Sequence, residues 1–396
     1  MKVAMVFDGL MTGGVERVGA DYAKIFTDLG YDTTIINLNP KLTEMECEFP
    51  NDIQIEHIKY NKNIAPERYA QVIKMGWYGR FLYPVIFCVL SMINFFYKLF
   101  CKLRYGFLRD KYDITIAFSG HFNDLTFVAN GYVNTGKKLC WLHGALYGYL
   151  LISDGYLNLY KKIKNLIVLV NDAEEEVLTY NHGVKLNIQK VYNPTFINNR
   201  TSNNASVRDL KKEYGDFLLM VSRFSYPHKD HYTVIDALKI LNEEYNKSPN
   251  LVLVGSGPDE KKVRTYSESA LADVKSKVFF LGNKNNVQDY YKAANLLVHA
   301  SVAGEGLPTV MIEALANELP MVVTDSKVGP REILGDNEYG LLSKVQDPAD
   351  MAKQINLLLE DNEKYNEYVQ KSSIRLLDFE PENITLKIKE VMNNLI

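Results

Sequence analysis

The sequence predicts an α/β protein built as two Rossmann-like, doubly wound domains facing each other across a cleft. Short apolar runs fit for buried parallel strands alternate with amphipathic helices, and this alternation occurs twice. A polar, Asn/Ser-rich stretch at 194–209 separates the two series and reads as a linker. The chain of 396 residues has room for two domains of ordinary size, and 47% apolar against 23% charged residues is a globular composition.

The elements follow in order. Val3–Phe7 reads as a strand, Asp8–Gly14 as a Gly-rich loop, and Val15–Leu29 as a helix with Val18, Tyr22, Ile25 and Phe26 on one side. Gly30 is its stop and Thr33–Leu38 the next strand, a βαβ opening that implies a parallel sheet with right-handed crossovers. Strands are expected at Ile114–Phe118, Lys138–Leu142 and Leu166–Leu169, then a helix at Ala173–Tyr180 with Asp172 as its N-cap. Past the linker, strands are expected at Phe217–Ser222, Leu251–Val254, Val278–Leu281, Leu296–Ala300, Pro320–Thr324 and Gly340–Ser343. Helices are expected at His231–Tyr245, Glu260–Leu271, Val287–Ala294, Pro308–Asn317 and Asp350–Glu360. The domains are therefore expected at 1–195 and 210–375, with 376–396 as a C-terminal helix packing back on the first domain.

A net charge of −3 makes no case for nucleic acid. The four scattered cysteines form no C-x-x-C pair, and the opening strand is too short for a signal-peptide core, which together favour a reducing cytoplasm. The charge is uneven: residues 59–111 hold ten basic and only two acidic residues, Glu67 and Asp110. Within them, Phe81–Tyr97 is apolar and aromatic but short of the roughly 20 residues a spanning helix needs. It reads either as a pair of core helices or as a helix lying in a bilayer interface, with 77–109 meeting anionic membrane.

Several features of the second half fall at loops after strands, where open α/β sheets bind ligands. The first delivers Arg223 and Lys229 six residues apart, two cations suited to a leaving diphosphate, though either could be solvated. The second comprises Gly255 after one strand and Gly282 with Asn283 after another, close-approach loops or merely tight turns. The third is Gly304 through Ala316, where Glu305, Gly306, Leu307, Pro308 and Thr309 lead into a helix whose N–H groups can hold phosphate. Glu313 lies within that helix, in an apolar run where a carboxylate needs a partner.

Arg223 with Lys229, the Glu-x7-Glu of Glu305 and Glu313, and Gly329-Pro330-Arg331-Glu332 resemble the family 4 glycosyltransferases, retaining enzymes of the GT-B fold. The resemblance implies that Arg223 and Lys229 hold the donor diphosphate, that Glu313 binds the ribose, and that Glu305 lies near the transferred sugar. Gly13-Gly14-Val15-Glu16-Arg17 resembles the family's N-terminal loop, which implies that Gly13 and Gly14 meet the donor diphosphate and Glu16 the acceptor, and Trp141-Leu142-His143-Gly144 resembles the segment whose histidine lies beside the reacting sugar and the acceptor. The loop Ser301–Glu305 departs from the family by one extra residue. Glu16 reads equally as a helix-start acid, and His143 equally as a core histidine.

The expectation is a retaining glycosyltransferase moving a sugar from a nucleotide-sugar donor, UDP by family frequency, to a lipid-linked or glycan acceptor at the cytoplasmic face of a membrane. Neither cofactor nor metal is expected: the chain contains no Asp-x-Asp, and Arg223, Lys229 and a helix N-terminus would take over charge neutralisation. A nucleotide-sugar 2-epimerase and a non-catalytic, nucleotide-sugar-binding accessory subunit are the alternatives.

Overall fold

The computed structural model describes residues 1–106, 111–144, 155–171, 185–195, 203–302 and 305–395. The helix expected at Ala173–Tyr180 lies outside them. The chain divides into two compact units, Met1–Pro194 together with Ile384–Ile396, and Thr195–Asn383.

The N-terminal unit is a parallel sheet of β1 (Lys2–Phe7), β2 (Asp32–Asn37), β3 (Gln54–His57), β4 (Lys111–Ala117), β5 (Asn134–Leu142), β6 (Asn165–Val168) and β7 (Asn187–Lys190). Their order is β3-β2-β1-β4-β5-β6-β7. The chain lays down β1 to β3 in one direction, then returns to place β4 against β1, with Val3 opposite Ile114. The crevice at the carboxyl ends of β1 and β4 is thus the topological switch point. Covering the sheet, the Gly14–Asp28 helix buries Val18, Tyr22, Ile25 and Phe26. Gly19 lets that helix close on β1, since a Cβ there would stand 2.6 Å from the Phe7 ring. An aromatic cluster fills the space beneath: Tyr22 and Phe118 have ring centroids 4.3 and 4.9 Å from Trp141, and Phe118 lies 5.2 Å from Phe7.

The C-terminal unit repeats the plan with β8 (Phe217–Val221), β9 (Asn250–Val254), β10 (Val278–Phe280), β11 (Leu296–His299), β12 (Met321–Thr324) and β13 (Leu341–Ser343). Their order, β10-β9-β8-β11-β12-β13, puts the switch point between β8 and β11. The helix His231–Tyr245 begins where Asp230 accepts the Thr233 N–H (3.3 Å) and hydroxyl (2.6 Å). The last helix, Pro381–Leu395, buries Ile384, Ile388, Val391, Met392 and Leu395, and from Ile384 onward it belongs to the N-terminal unit.

Two expectations are corrected. The stretch 194–209 is not all linker: Asn204–Tyr214 is a helix, N-capped by Asn203, whose side chain accepts the Ala205 N–H at 2.9 Å. It buries only Leu210 and Tyr214, so polar composition masked a sparse i, i+4 stripe. Nor is Phe81–Tyr97 a pair of core helices; it lies within one helix, Trp77–Arg104, of 28 residues with only Gly79, Asn94 and Cys101 buried. β3 and β7 escaped the sequence reading because both are short, polar edge strands without an apolar run.

Phe118 is fully buried. Phe118→Ala is therefore expected to lower stability by about 3–5 kcal/mol in urea unfolding; a loss below about 1 kcal/mol would contradict the close packing of this cluster.

Candidate active site

In the C-terminal unit, the loop after β8 is laced to the end of β11, its neighbour across the switch point. The Asp230 N–H donates to Ala300 O at 2.8 Å, and the Val302 N–H to Pro227 O at 2.9 Å. This lacing carries Lys229 Nζ to 2.5 Å from Glu305 Oε1 and 3.1 Å from His299 Nε2. His299 Nε2 in turn lies 3.1 and 3.3 Å from the two Glu305 oxygens. The side chains are 21%, 10% and 0% exposed for Lys229, Glu305 and His299, so the three form a hydrogen-bonded triangle largely out of water.

Burial alone would raise the Glu305 carboxyl, but His299 and Lys229 outweigh it and hold it at about 2. Burial pulls Lys229 below its ordinary value against the attraction of Glu305, and the nearby charge of Arg223 adds to the lowering. His299 is lowered by burial first and Lys229 second, against the pull of Glu305. The sequence reading missed His299. Its one signal was a titratable residue ending the apolar run Leu296-Leu297-Val298.

Arg223 is exposed on the same loop. Gly255 and Gly257 are close-approach positions, but what approaches them is the chain itself. A Cβ at Gly255 would stand 2.0 Å from Ser222 O, and one at Gly257 2.3 Å from Phe224 O. These glycines press the β9 loop against the β8 loop. Gly282 adopts a φ of 65°, the left-handed region, and the exposed Asn283 follows it.

Glu305 is held by its backbone as well: its N–H donates to Lys327 O (2.8 Å) and its carbonyl accepts from Val328 (3.0 Å). The contact continues at Gly329, where a Cβ would meet Gly306 O at 1.8 Å. Arg331 is ion-paired with Asp325 and Asp336. Leu307 and Pro308 are buried and Thr309, which opens the Thr309–Ala316 helix, is exposed. Pro308 is the N-cap, one position earlier than expected, and no side chain caps this N-terminus. Glu313 accepts a hydrogen bond from the buried Tyr291 hydroxyl at 2.9 Å, so the carboxylate in the apolar run does have its partner. Part of the lengthened Ser301–Glu305 loop, residues 303–304, lies outside the described residues.

The N-terminal unit gathers a different set at its own switch point. Asp8 follows β1, its N–H donates to Ser119 Oγ at 3.1 Å, and its carboxylate accepts from Asn123 and lies 3.7 Å from His121 Nδ1. Burial would raise Asp8, but hydrogen bonds from His121 and Asn123 bring it below the ordinary value; the same bond raises His121. Asp124, fully buried, accepts the Gly120 N–H at 2.9 Å, and burial raises it to about 8, so it keeps its proton at pH 7. None of these three was singled out from the sequence, which shows them only as polar residues scattered after β1 and β4.

His143 follows β5. Its Nε2 lies 2.7 Å from Phe118 O, and since a carbonyl only accepts, Nε2 carries the proton and Nδ1 is left as an acceptor. Burial lowers the ring to about 4, so it is neutral. Glu16 is the third residue of the Gly14–Asp28 helix, raised by burial. Its carboxylate folds back over Gly13, where a Cβ would stand 2.4 Å from Oε2, the posture of an acid closing its own helix N-terminus. Around Gly14 nothing lies within 4 Å of a Cβ.

Residues 202–374 match the family of group 1 glycosyl transferases. A Campylobacter jejuni N-acetylgalactosamine-N,N'-diacetylbacillosaminyl-diphospho-undecaprenol 4-alpha-N-acetylgalactosaminyltransferase is 32% identical over 164 residues, 41% of this chain and 43% of that protein. The chain spans about half the length of the first curated relatives it matches, 46% and 47%. The amylovoran biosynthesis glycosyltransferase AmsD of Erwinia amylovora is 23% identical over 99% of both chains. Among solved structures, Anabaena HepE in complex with UDP has a TM-score of 0.75 at 19% identity over 100% of both chains. The lipopolysaccharide outer core galactosyltransferase WaaB has 0.68 at 16%, again over 100% of both. At these identities the likeness shows the fold, two parallel-sheet α/β domains of the GT-B kind.

Because Glu305 is depressed from 4.5 to about 2, its ionic contribution is complete above pH 4.5 and is lost as pH falls toward 2. Glu305→Gln should thus destabilise the protein at neutral pH, and the gap from wild type should close between about pH 4.5 and 2 in pH-dependent unfolding. A gap constant over that range would remove the Lys229–Glu305 charge pairing.

Proposed function

We propose that the chain is a glycosyltransferase of polysaccharide or glycolipid biosynthesis, of the retaining family 4 kind. It moves a sugar from a UDP-sugar to a lipid-linked or glycan acceptor without a metal. The observation that carries this reading is the Lys229–Glu305–His299 triangle at the β8/β11 switch point, inside the segment that matches group 1 glycosyl transferases. UDP as donor nucleotide is supported by HepE, solved with UDP-glucose, and an undecaprenol-linked acceptor by the name of the Campylobacter relative.

In this reading a donor diphosphate takes Glu305's place as the partner of Lys229. Arg223 and the uncapped N-terminus at Thr309 add positive potential where charge accumulates as the sugar–phosphate bond breaks. Glu305, released from Lys229, accepts hydrogen bonds from hydroxyls of the transferred sugar, while Glu313 does so from the ribose. Gly255, Gly282 and Asn283 line the nucleotide, and Gly306, Leu307 and Pro308 lead the backbone past the phosphates. The acceptor hydroxyl attacks the anomeric carbon from the face the diphosphate leaves, and a departing phosphate oxygen takes its proton. His143 contributes through Nδ1, which accepts from a sugar hydroxyl and does not protonate the leaving group, because the ring is neutral at pH 7. Gly13 and Gly14 meet the donor diphosphate, and Glu16 meets the acceptor. A lipid-linked acceptor sets the reaction at the cytoplasmic face of a membrane, and 77–109 is the part of the chain with the chemistry to meet it.

Thermal-shift and product assays with UDP-, GDP- and ADP-sugars, with and without membrane lipid extract, test this reading. One donor should stabilise the protein, and its sugar should move to lipid only when extract is present. Binding without transfer under every condition would favour an accessory subunit. Within the transferase reading, Lys229→Ala should lower kcat about 10²–10³-fold at saturating donor. An unchanged turnover would remove the leaving-group role.

A further inference from the structure

The Trp77–Arg104 helix turns a broad apolar face to solvent. A surface helix of a water-soluble domain turns its apolar stripe inward and its polar face out. Here the face turned to the domain follows Gly79, Tyr83, Ile86, Leu90, Asn94, Tyr97 and Cys101, at helical spacing, and it carries the polar contacts. The Tyr132 hydroxyl donates to Asn94, the Tyr97 hydroxyl to Lys59 O at 2.7 Å, and Lys98 to Asn130 O at 3.3 Å. The outward face is apolar, with Trp77 76%, Phe81 73%, Phe96 62%, Phe100 58% and Leu103 64% exposed. Of the 22 large hydrophobic side chains exposed among the described residues, 16 lie between Ile73 and Leu103, one contiguous surface and not a scatter.

Charge tells what covers it. Basic residues stand at both ends of the helix, Lys74 and Arg80 at one, Lys98, Lys102 and Arg104 at the other, with none from Phe81 to Tyr97. The one acidic residue described in 59–111, Glu67, is buried and bound to Lys162 at 2.5 Å, so it offsets none of this outward charge. A second copy of the chain laid along this face, parallel or antiparallel, would set basic ends against basic ends. An anionic bilayer accepts both the apolar middle and the basic ends.

We propose that the Trp77–Arg104 helix is a monotopic anchor lying flat in the interface of an anionic bilayer, apolar face in the acyl boundary and basic ends among the headgroups. At 28 residues it is about 42 Å long and could cross a bilayer by length and composition. It lies flat because its own domain holds it at both ends. Gly79 sits so close to Val72 O that a Cβ would be 2.0 Å away, and Tyr97 and Lys98 are bound to Lys59 and Asn130. Crossing would break these contacts and strip Asn94 of Tyr132 within hydrocarbon. The inference extends the lipid-linked acceptor reading without resting on it, since bilayer binding is read with neither donor nor acceptor.

Co-sedimentation with equimolar phosphatidylglycerol–phosphatidylcholine vesicles tests it, alongside intrinsic fluorescence. The chain has two tryptophans, and only Trp77 is exposed, so a blue shift on adding vesicles reports that residue. Wild type should bind, with a blue shift, and salt should weaken the binding. The quadruple variant Phe81→Gln, Phe96→Gln, Phe100→Gln, Leu103→Gln should bind at least about tenfold more weakly with thermal unfolding nearly unchanged, because all four side chains are more than half exposed. Equal binding to pure phosphatidylcholine, or no binding to either vesicle, would overturn the proposal. So would a dimer in solution that the same four substitutions dissociate, which would give the face to a second copy. None of these outcomes touches the donor assay.

Discussion

Lys229 and Glu305 lie largely out of water, where each is tolerable only in the company of the other. Removing one member of such a pair leaves an uncompensated buried charge, typically worth about 3–5 kcal/mol. That constraint propagates outward through the C-terminal unit. Lys229 reaches its partner only because Asp230 and Pro227 are bonded to the end of β11. Glu305 stays in place only because its backbone is paired with Lys327 and Val328, at a contact so close that Gly329 has no room for a Cβ. The loops after β8, β9, β11 and β12 are therefore one backbone-to-backbone assembly, and the glycines in it serve that assembly first. Lys229 is thereby held desolvated and aimed at a single carboxylate.

The N-terminal unit uses the equivalent topological position for a different balance of charge. Asp8 is depressed, Asp124 is pushed up to about 8, His121 is raised and His143 is lowered to about 4. Neighbouring groups whose environments drive them in opposite directions offer donors and acceptors side by side at one pH. Asp124 keeps its proton at pH 7, while Asp8 and the Nδ1 of His143 accept.

Much of this was legible in the sequence where one local rule sufficed. Central strands announce themselves as unbroken apolar runs, so β1, β8, β9, β11 and β12 fell within a residue or two of expectation, and His231–Tyr245 matched its bounds. Arg223, Lys229, Glu305 and Glu313 stood out because charge at the end of an apolar strand or inside an apolar helix demands a reason. What stayed hidden depends on three-dimensional neighbours. His299 looks like the polar tail of a strand until Lys229 and Glu305 arrive beside it. Asp8, His121 and Asp124 are a cluster only once β4 returns to β1. The loop at Gly255 was read as either a close approach or a tight turn, and only the fold shows that the atoms facing Gly255 and Gly257 are Ser222 O and Phe224 O. The Trp77–Arg104 helix was underestimated because its apolar core of 17 residues, Phe81–Tyr97, was counted without the basic, interfacial turns that extend it.

That helix also bears on how the protein would search for its acceptor. A chain resting on a bilayer by an apolar face exchanges a three-dimensional hunt for a two-dimensional one. A lipid-borne acceptor is then met at a concentration set by its share of the surface, not by its amount in the whole volume. Turnover in such a regime follows lipid composition: diluting the acceptor with other lipids slows the reaction even when the total amount of acceptor is unchanged, and adding water does little. The sixteen apolar side chains between Ile73 and Leu103 would in that case be kinetic equipment, converting a dilute substrate in the cell into a crowded one at the enzyme's own surface.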